Sequence, residues 1–125
     1  MQPMQPIQQT KILGNNGEAL VATWLVNQGF TILNRNYQTR LGEVDIIAAK
    51  DDVIAFVEVK TRSINYFPAS YTVTRTKQRR IIRASRNFIL VHGLRDKVFR
   101  FDVATVVCTN GSHQIEYIAN AFRPQ

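Results

Sequence analysis

The chain has 125 residues of which 45% are hydrophobic, enough for one core and too few for two substantial domains. A net charge of +7 and a pI near 10.1 point to a polyanionic partner. A single cysteine, Cys108, excludes an internal disulfide framework and fits a reducing compartment, so a cytoplasmic address is expected.

No segment approaches the ~18 consecutive apolar residues of a membrane span, and the opening MQPMQPIQQT lacks the shape of a signal peptide. Residues 1–10, rich in Gln and Pro, read as a flexible tail, and 11–125 as a single domain. The basic charge is concentrated. From Lys60 to Arg100 there are eleven Lys or Arg against one acid, Asp96, whereas the remainder holds five basic and eight acidic residues.

From Thr10 to Gln28 apolar residues recur at Leu13, Leu20, Val21, Trp24 and Leu25, the spacing of one helix face, with Gly29 placed to end it. Glu18 shares an inward-leaning stripe with Gly14, Val21, Ala22 and Leu25, where an unpaired carboxylate is costly. This segment alone reads equally well as placing Glu18 at the edge of a solvated face. Thr31–Gln38, rich in β-branched and aromatic residues, predicts a strand, and Thr39–Gly42 a turn.

Two apolar runs follow, Val44–Ala49 and Val53–Val59, separated by Lys50-Asp51-Asp52 and interrupted only by Asp45 and Glu58, with Lys60 just beyond. Residues from Arg62 to about Val73 form a polar loop, expected to be mobile and able to close over a substrate. A second helix is predicted over Thr74–His92. Ile81, Ile82, Ser85, Phe88 and Ile89 lie on one side, Arg75, Arg79, Arg83 and Arg86 on the other, and Lys77 and Arg80 flank the basic stripe. Solvated charged faces usually interleave acids, and this helix has none, so a phosphate or nucleic-acid contact is expected of it. Val98–Cys108 and His113–Ala119 make two more strands, joined through Asn110-Gly111, a strong hairpin signal. The order αβββαββ, with a meander and then a helical crossover, predicts an α/β fold with a central mixed sheet flanked by helices.

If the central strands pair antiparallel about Asp51-Asp52, opposed residues have numbers summing to 103. Asp45 then faces Glu58, Glu43 faces Lys60, and all four side chains share one side. Opposed carboxylates with Cβ atoms ~5 Å apart repel unless a cation holds them. Two carboxylates plus water and phosphate oxygens suit Mg2+, with Mn2+ as a substitute. Lys60, ~7 Å along from Glu58, is placed to steady an attacking water and stabilise phosphorane charge. The competing reading is a surface of exposed cross-strand ion pairs, each contributing ~1 kcal/mol or less. His92 and His113 lack the neighbours of a zinc site, and Cys108 has no evident paired base.

Asp45, a twelve-residue interval and Glu58-Val59-Lys60 resemble the PD-(D/E)xK signature of restriction-endonuclease-like nucleases, with Val44 where the motif has Pro. Taken with Gly17-Glu18, Gly42-Glu43-Val44-Asp45, Phe56 to Arg62 and Arg100-Phe101-Asp102, the chain from Gly14 to Val106 is similar to the YraN-like uncharacterised protein family. The resemblance implies a restriction-endonuclease-like fold akin to archaeal Holliday junction resolvases. In those proteins a helix glutamate joins the metal cluster, a role that falls here on Glu18. It also permits Asp102, otherwise read as locally salt-linked to Arg100, to support the active site.

The resulting expectation is a metal-dependent endonuclease-like protein acting on DNA, with branched or damaged DNA of recombination or repair as the substrate class. Glu18, Asp45 and Glu58, with the Val59 carbonyl, would hold Mg2+ while Lys60 serves the water. Arg62, Arg75, Lys77, Arg79, Arg80, Arg83 and Arg86 would grip phosphates. Junction resolution needs two cuts, which carries the expectation of a homodimer. The alternatives are a non-catalytic nucleic-acid-binding module of the same fold and a scaffold protein with a basic interaction face.

Overall fold

The computed structural model describes residues 6–63 and 73–124, and in the first helix it describes side chains from residue 16 onward. Helix α1 (Pro6–Asn27) precedes strands β1 (Thr31–Gln38), β2 (Glu43–Lys50) and β3 (Val53–Ser63). Helix α2 (Arg75–Val91) then crosses to β4 (Val98–Thr109) and β5 (Ser112–Phe122). The order is the αβββαββ expected from the sequence. Helix α1 begins at Pro6, inside the stretch read as a tail, of which residues 1–5 lie outside the described part, as do the Leu13 side chain and residues 64–72 of the expected mobile loop. No described helix is long and apolar enough to cross a membrane.

The five strands form one sheet in the order β1-β2-β3-β4-β5. Only β3 and β4 run parallel, because α2 carries the chain back across the sheet between them, and the remaining neighbours are antiparallel. This mixed sheet is the restriction-endonuclease-like arrangement that the sequence motifs imply.

Each sheet face has its own core. Against α1, Val21 and Leu25 pack on Ile46, Ala48, Ala55, Val57, Ala104 and Val106, with Trp24 stacked on Tyr117 at 4.8 Å between ring centroids. Against α2, Ile81, Ile82, Ala84 and Phe88 cover Ile47, Ile54, Phe56, Phe101 and Val103. Phe56 is wholly buried with Phe88, Phe99 and Phe101 around it. Thr74 caps α2 by accepting a hydrogen bond from the Lys77 amide at 3.2 Å. At the β4–β5 turn, Asn110 and Gly111 both adopt positive φ, 36° and 86°, as a tight two-residue hairpin requires.

Two glycines set how closely the helices approach. A Cβ on Gly17 would lie 2.5 Å from Thr61 Oγ1, so α1 rests directly on β3. A Cβ on Gly42 would lie 1.8 Å from the Arg80 carbonyl oxygen, so α2 seats its backbone on the start of β2. Each glycine immediately precedes a glutamate, Glu18 or Glu43.

A candidate metal and phosphate site where two strands part

The β2–β3 register follows the sum of 103 from Lys50–Val53 to Ile46–Val57 and stops there. Asp45 and Glu58, next along each strand, are therefore adjacent but outside the ladder. Beyond them β2 stays with β1, pairing Val44 with Tyr37 and Glu43 with Gln38. Meanwhile β3 follows β4, pairing Glu58 with Val103 and Lys60 with Thr105. The parting exposes a backbone donor of β3 that no strand satisfies. Asp45 takes it, its Oδ2 accepting a hydrogen bond from the Val59 amide at 2.8 Å.

The parting also corrects the expected facing of side chains. Val44 packs with the α2-side core and Ile46 with the α1-side core, so alternation breaks at Asp45. Glu43 does not meet Lys60. It pairs with Lys77 of α2, whose Nζ lies 3.4 Å from Glu43 Oε1 and 3.7 Å from Glu58 Oε2. Lys77, grouped with the phosphate-gripping residues from sequence, is thus turned toward the carboxylates.

Glu58 is only 7% exposed, and its buried Oε2 receives no hydrogen bond. Burial, followed by the neighbouring Asp45 carboxylate, pushes its pKa up to about 8, against the smaller opposing pull of Lys77 and Lys60. Glu18, half-buried on α1, is also raised, first by burial and then by Asp45, with Arg35 opposing and Glu43 adding. Lys77 is raised as well. Its burial opposes the shift, but Glu58 and Glu43 outweigh it.

Two strand ends and helix α1 therefore bring carboxylates to one place, with Lys77 of α2 beside them. Among the described residues, however, no three His, Cys, Asp or Glu side chains are grouped closely enough to hold a metal ion. The close pair is Asp45–Glu58, with Glu18 within electrostatic reach of Asp45. A buried carboxylate oxygen without a donor, beside a second carboxylate, fits a hard cation that keeps several of its waters.

The remaining predicted residues occupy two regions. Arg62, at the end of β3, extends along the sheet with Nη2 3.8 Å from Glu116 Oε2, so it stands apart from the arginine face of α2. Arg75, Arg79, Arg83 and Arg86 line a groove of about 250 Å3 together with Arg123, which follows β5. Arg80 is exposed but lies outside this groove, and its backbone instead packs on Gly42. Arg123 gives no signal in the sequence because it lies 37 positions beyond Arg86 with no basic neighbour, and only the return of β5 brings it to α2.

Asp102 is fully buried and accepts from Arg100 Nε at 3.0 Å, Arg100 Nη2 at 3.0 Å, the Tyr117 hydroxyl and the Asn120 amide at 2.8 Å. It braces β4 against β5 where their register shifts between Phe101 and Val103. The salt link to Arg100 expected from sequence is present.

Residues 17–106, which contain Glu18, Asp45, Glu58 and Asp102, match the profile of uncharacterised protein family UPF0102. The chain belongs to UPF0102. Among its relatives are UPF0102 proteins of Alkaliphilus metalliredigens, 44% identical over 90% of this chain and 99% of the relative, and of Geobacter metallireducens, 42% identical over 90% and 93%. A UPF0102 protein of Myxococcus xanthus is 38% identical over 87% of each chain. The YraN-like resemblance of the motifs is thereby borne out. Membership in UPF0102 covers both glycine–glutamate pairs and the strand parting, and the matched region ends before Arg123.

Proposed function

We propose that this UPF0102 protein is a metal-dependent nuclease that cleaves DNA phosphodiester bonds. The observation that carries the reading is the buried Glu58 Oε2, which has no hydrogen-bond partner, in a carboxyl group set beside Asp45 where β2 and β3 part. Carboxylates held this way are costly to a fold unless a cation compensates them.

In this reading Asp45 and Glu58 hold Mg2+ or Mn2+, the Val59 carbonyl is a further ligand, and Glu18 orders the surrounding water. The bound ion supplies Lewis acidity toward a phosphoryl oxygen and eases ionisation of water. Lys60, half-buried and within electrostatic reach of Glu58, orients the attacking water and balances charge developing on the phosphate. The groove of five arginines takes the flanking phosphates, giving binding that is salt-dependent and largely indifferent to sequence. Branched DNA is the favoured substrate class, and because each chain offers one such carboxylate pair among its described residues, paired cuts at a junction would take two chains.

The test is a cleavage panel over duplex, single-stranded, flap and four-way junction DNA with Mg2+ or Mn2+, run on the wild type and on Lys60→Ala. Metal-dependent cleavage by the wild type, lost in Lys60→Ala with DNA binding retained, is the expected result. Binding without cleavage of any form would make the protein a non-catalytic DNA-binding module.

A further inference from the structure

Resting on the metal site proposed above, we infer that Lys77 is the built-in counter-ion of that site and that a divalent cation enters by displacing its ammonium group. The geometry is specific to this lysine. Its Nζ lies between carboxylates of two strands, 3.4 Å from Glu43 Oε1 and 3.7 Å from Glu58 Oε2. The longer of these distances is an ion pair without a hydrogen bond, since Glu58 Oε2 has no donor. The ammonium stands against Glu58 without satisfying its oxygen, which leaves that oxygen available to a better-fitting cation.

Lys77 is also placed to leave. Its backbone is fixed by the Thr74 cap at 3.2 Å, while its side chain is 35% exposed on a flexible four-carbon stem. No acid lies in the first turn of α2, so the groups that hold the ammonium come from the strand ends. The arginines of α2 do not take this part, because Arg75, Arg79, Arg83 and Arg86 line the groove and Arg80 makes no ion pair among the described residues. Lys60 makes no ion pair with Asp45 or Glu58 among the described residues. A compact ammonium and a hard divalent ion compete for the same Glu58 oxygen, and the divalent ion brings one more positive charge to the neighbouring carboxylates.

Calorimetric titration with Mn2+ alone, without DNA, tests the exchange. The wild type binds, Glu58→Gln does not, Lys77→Met binds about tenfold more tightly because no ammonium must be displaced, and Lys77→Arg stays near the wild type. Binding by Lys77→Met that is equal to or weaker than that of the wild type overturns the displacement. Absence of binding in both wild type and Lys77→Met, or binding unaffected by Glu58→Gln, instead removes the metal site itself and the displacement with it. A second measurement needs no variant. Titrating Mg2+ into the 13C-lysine-labelled wild type should move the Lys77 ε-methylene resonance to the position of a solvent-exposed lysine. A resonance that stays in place at saturation also overturns the proposal.

Discussion

The Asp45 carboxylate and the Val59 amide are joined by a 2.8 Å hydrogen bond just beyond the end of the β2–β3 ladder. A side chain thus does there what a strand would otherwise do. Asp45→Ala should strip the Val59 amide of its slow hydrogen exchange and cost about 1–3 kcal/mol for the missing charge-assisted bond. The same change removes a charge beside Glu58, so the Glu58 pKa should fall from about 8 without reaching its ordinary value, because burial is the larger cause. Amide exchange together with 13C titration of Glu58 measures both effects.

Glu58 also gives the metal-free protein a pH dependence of definite sign. Its pKa is raised from 4.5 to about 8, so between those values the folded state binds more protons than the unfolded chain. Stability should fall as pH rises through this window and level off above it, with Glu18, also raised, acting in the same direction. Thermal unfolding across the window should show a declining Tm that flattens in Glu58→Gln. Metal affinity should rise over the same range as the proton is lost.

The two close helix approaches should respond differently to a methyl group. Gly42→Ala sets its Cβ against the Arg80 carbonyl, a backbone atom that moves only with α2, and should cost about 3 kcal/mol or more in urea unfolding. Gly17→Ala clashes with the Thr61 hydroxyl, makes ordinary contact with Val106 and gains about 1 kcal/mol of helix propensity, so its net effect should be smaller. Adding Thr61→Ala should recover part of the Gly17→Ala loss, a non-additivity that a double-mutant cycle reads directly.

Within the arginine groove, Arg79→Ala and Arg83→Ala should weaken DNA binding uniformly across sequences. Removing one phosphate partner should lower the slope of log K against log salt by about 1. Both residues are exposed, so unfolding should change by no more than about 0.5 kcal/mol. Arg123→Ala should lower the slope in the same way, which separates a groove shared with the end of the chain from a purely helical surface.

Asp102→Ala should be among the most damaging changes. It leaves Arg100, the Tyr117 hydroxyl and the Asn120 amide without their shared acceptor, a loss of about 3–5 kcal/mol. Tyr117→Phe removes one donor and keeps the Trp24 stacking, so about 1 kcal/mol is expected from denaturant titration.

Element order, strand register and the apolar faces are legible in the sequence because each depends on local periodicity. Thr31–Gln38 is delimited residue for residue, and the 103 register follows from a two-residue turn between two apolar runs. What the repeat does not convey is where the register stops. Pairing Asp45 with Glu58 and Glu43 with Lys60 extrapolates the ladder past the point at which β3 commits to β4 and β2 to β1. The start of α1 at Pro6 is likewise hidden by Gln- and Pro-rich composition, although proline is well suited to a first helical turn.

By itself, then, the sequence determined the αβββαββ order, the central hairpin and the close succession of Asp45, Glu58 and Lys60, since alternation and turn chemistry act between near neighbours. Tertiary structure alone decided that Lys77 rather than Lys60 meets Glu43, that Arg123 joins the arginine groove and that Asp45 caps Val59. Those pairings join residues 34, 37 and 14 positions or more apart, and they exist because two strands part and two helices close on glycines, which no local periodicity records.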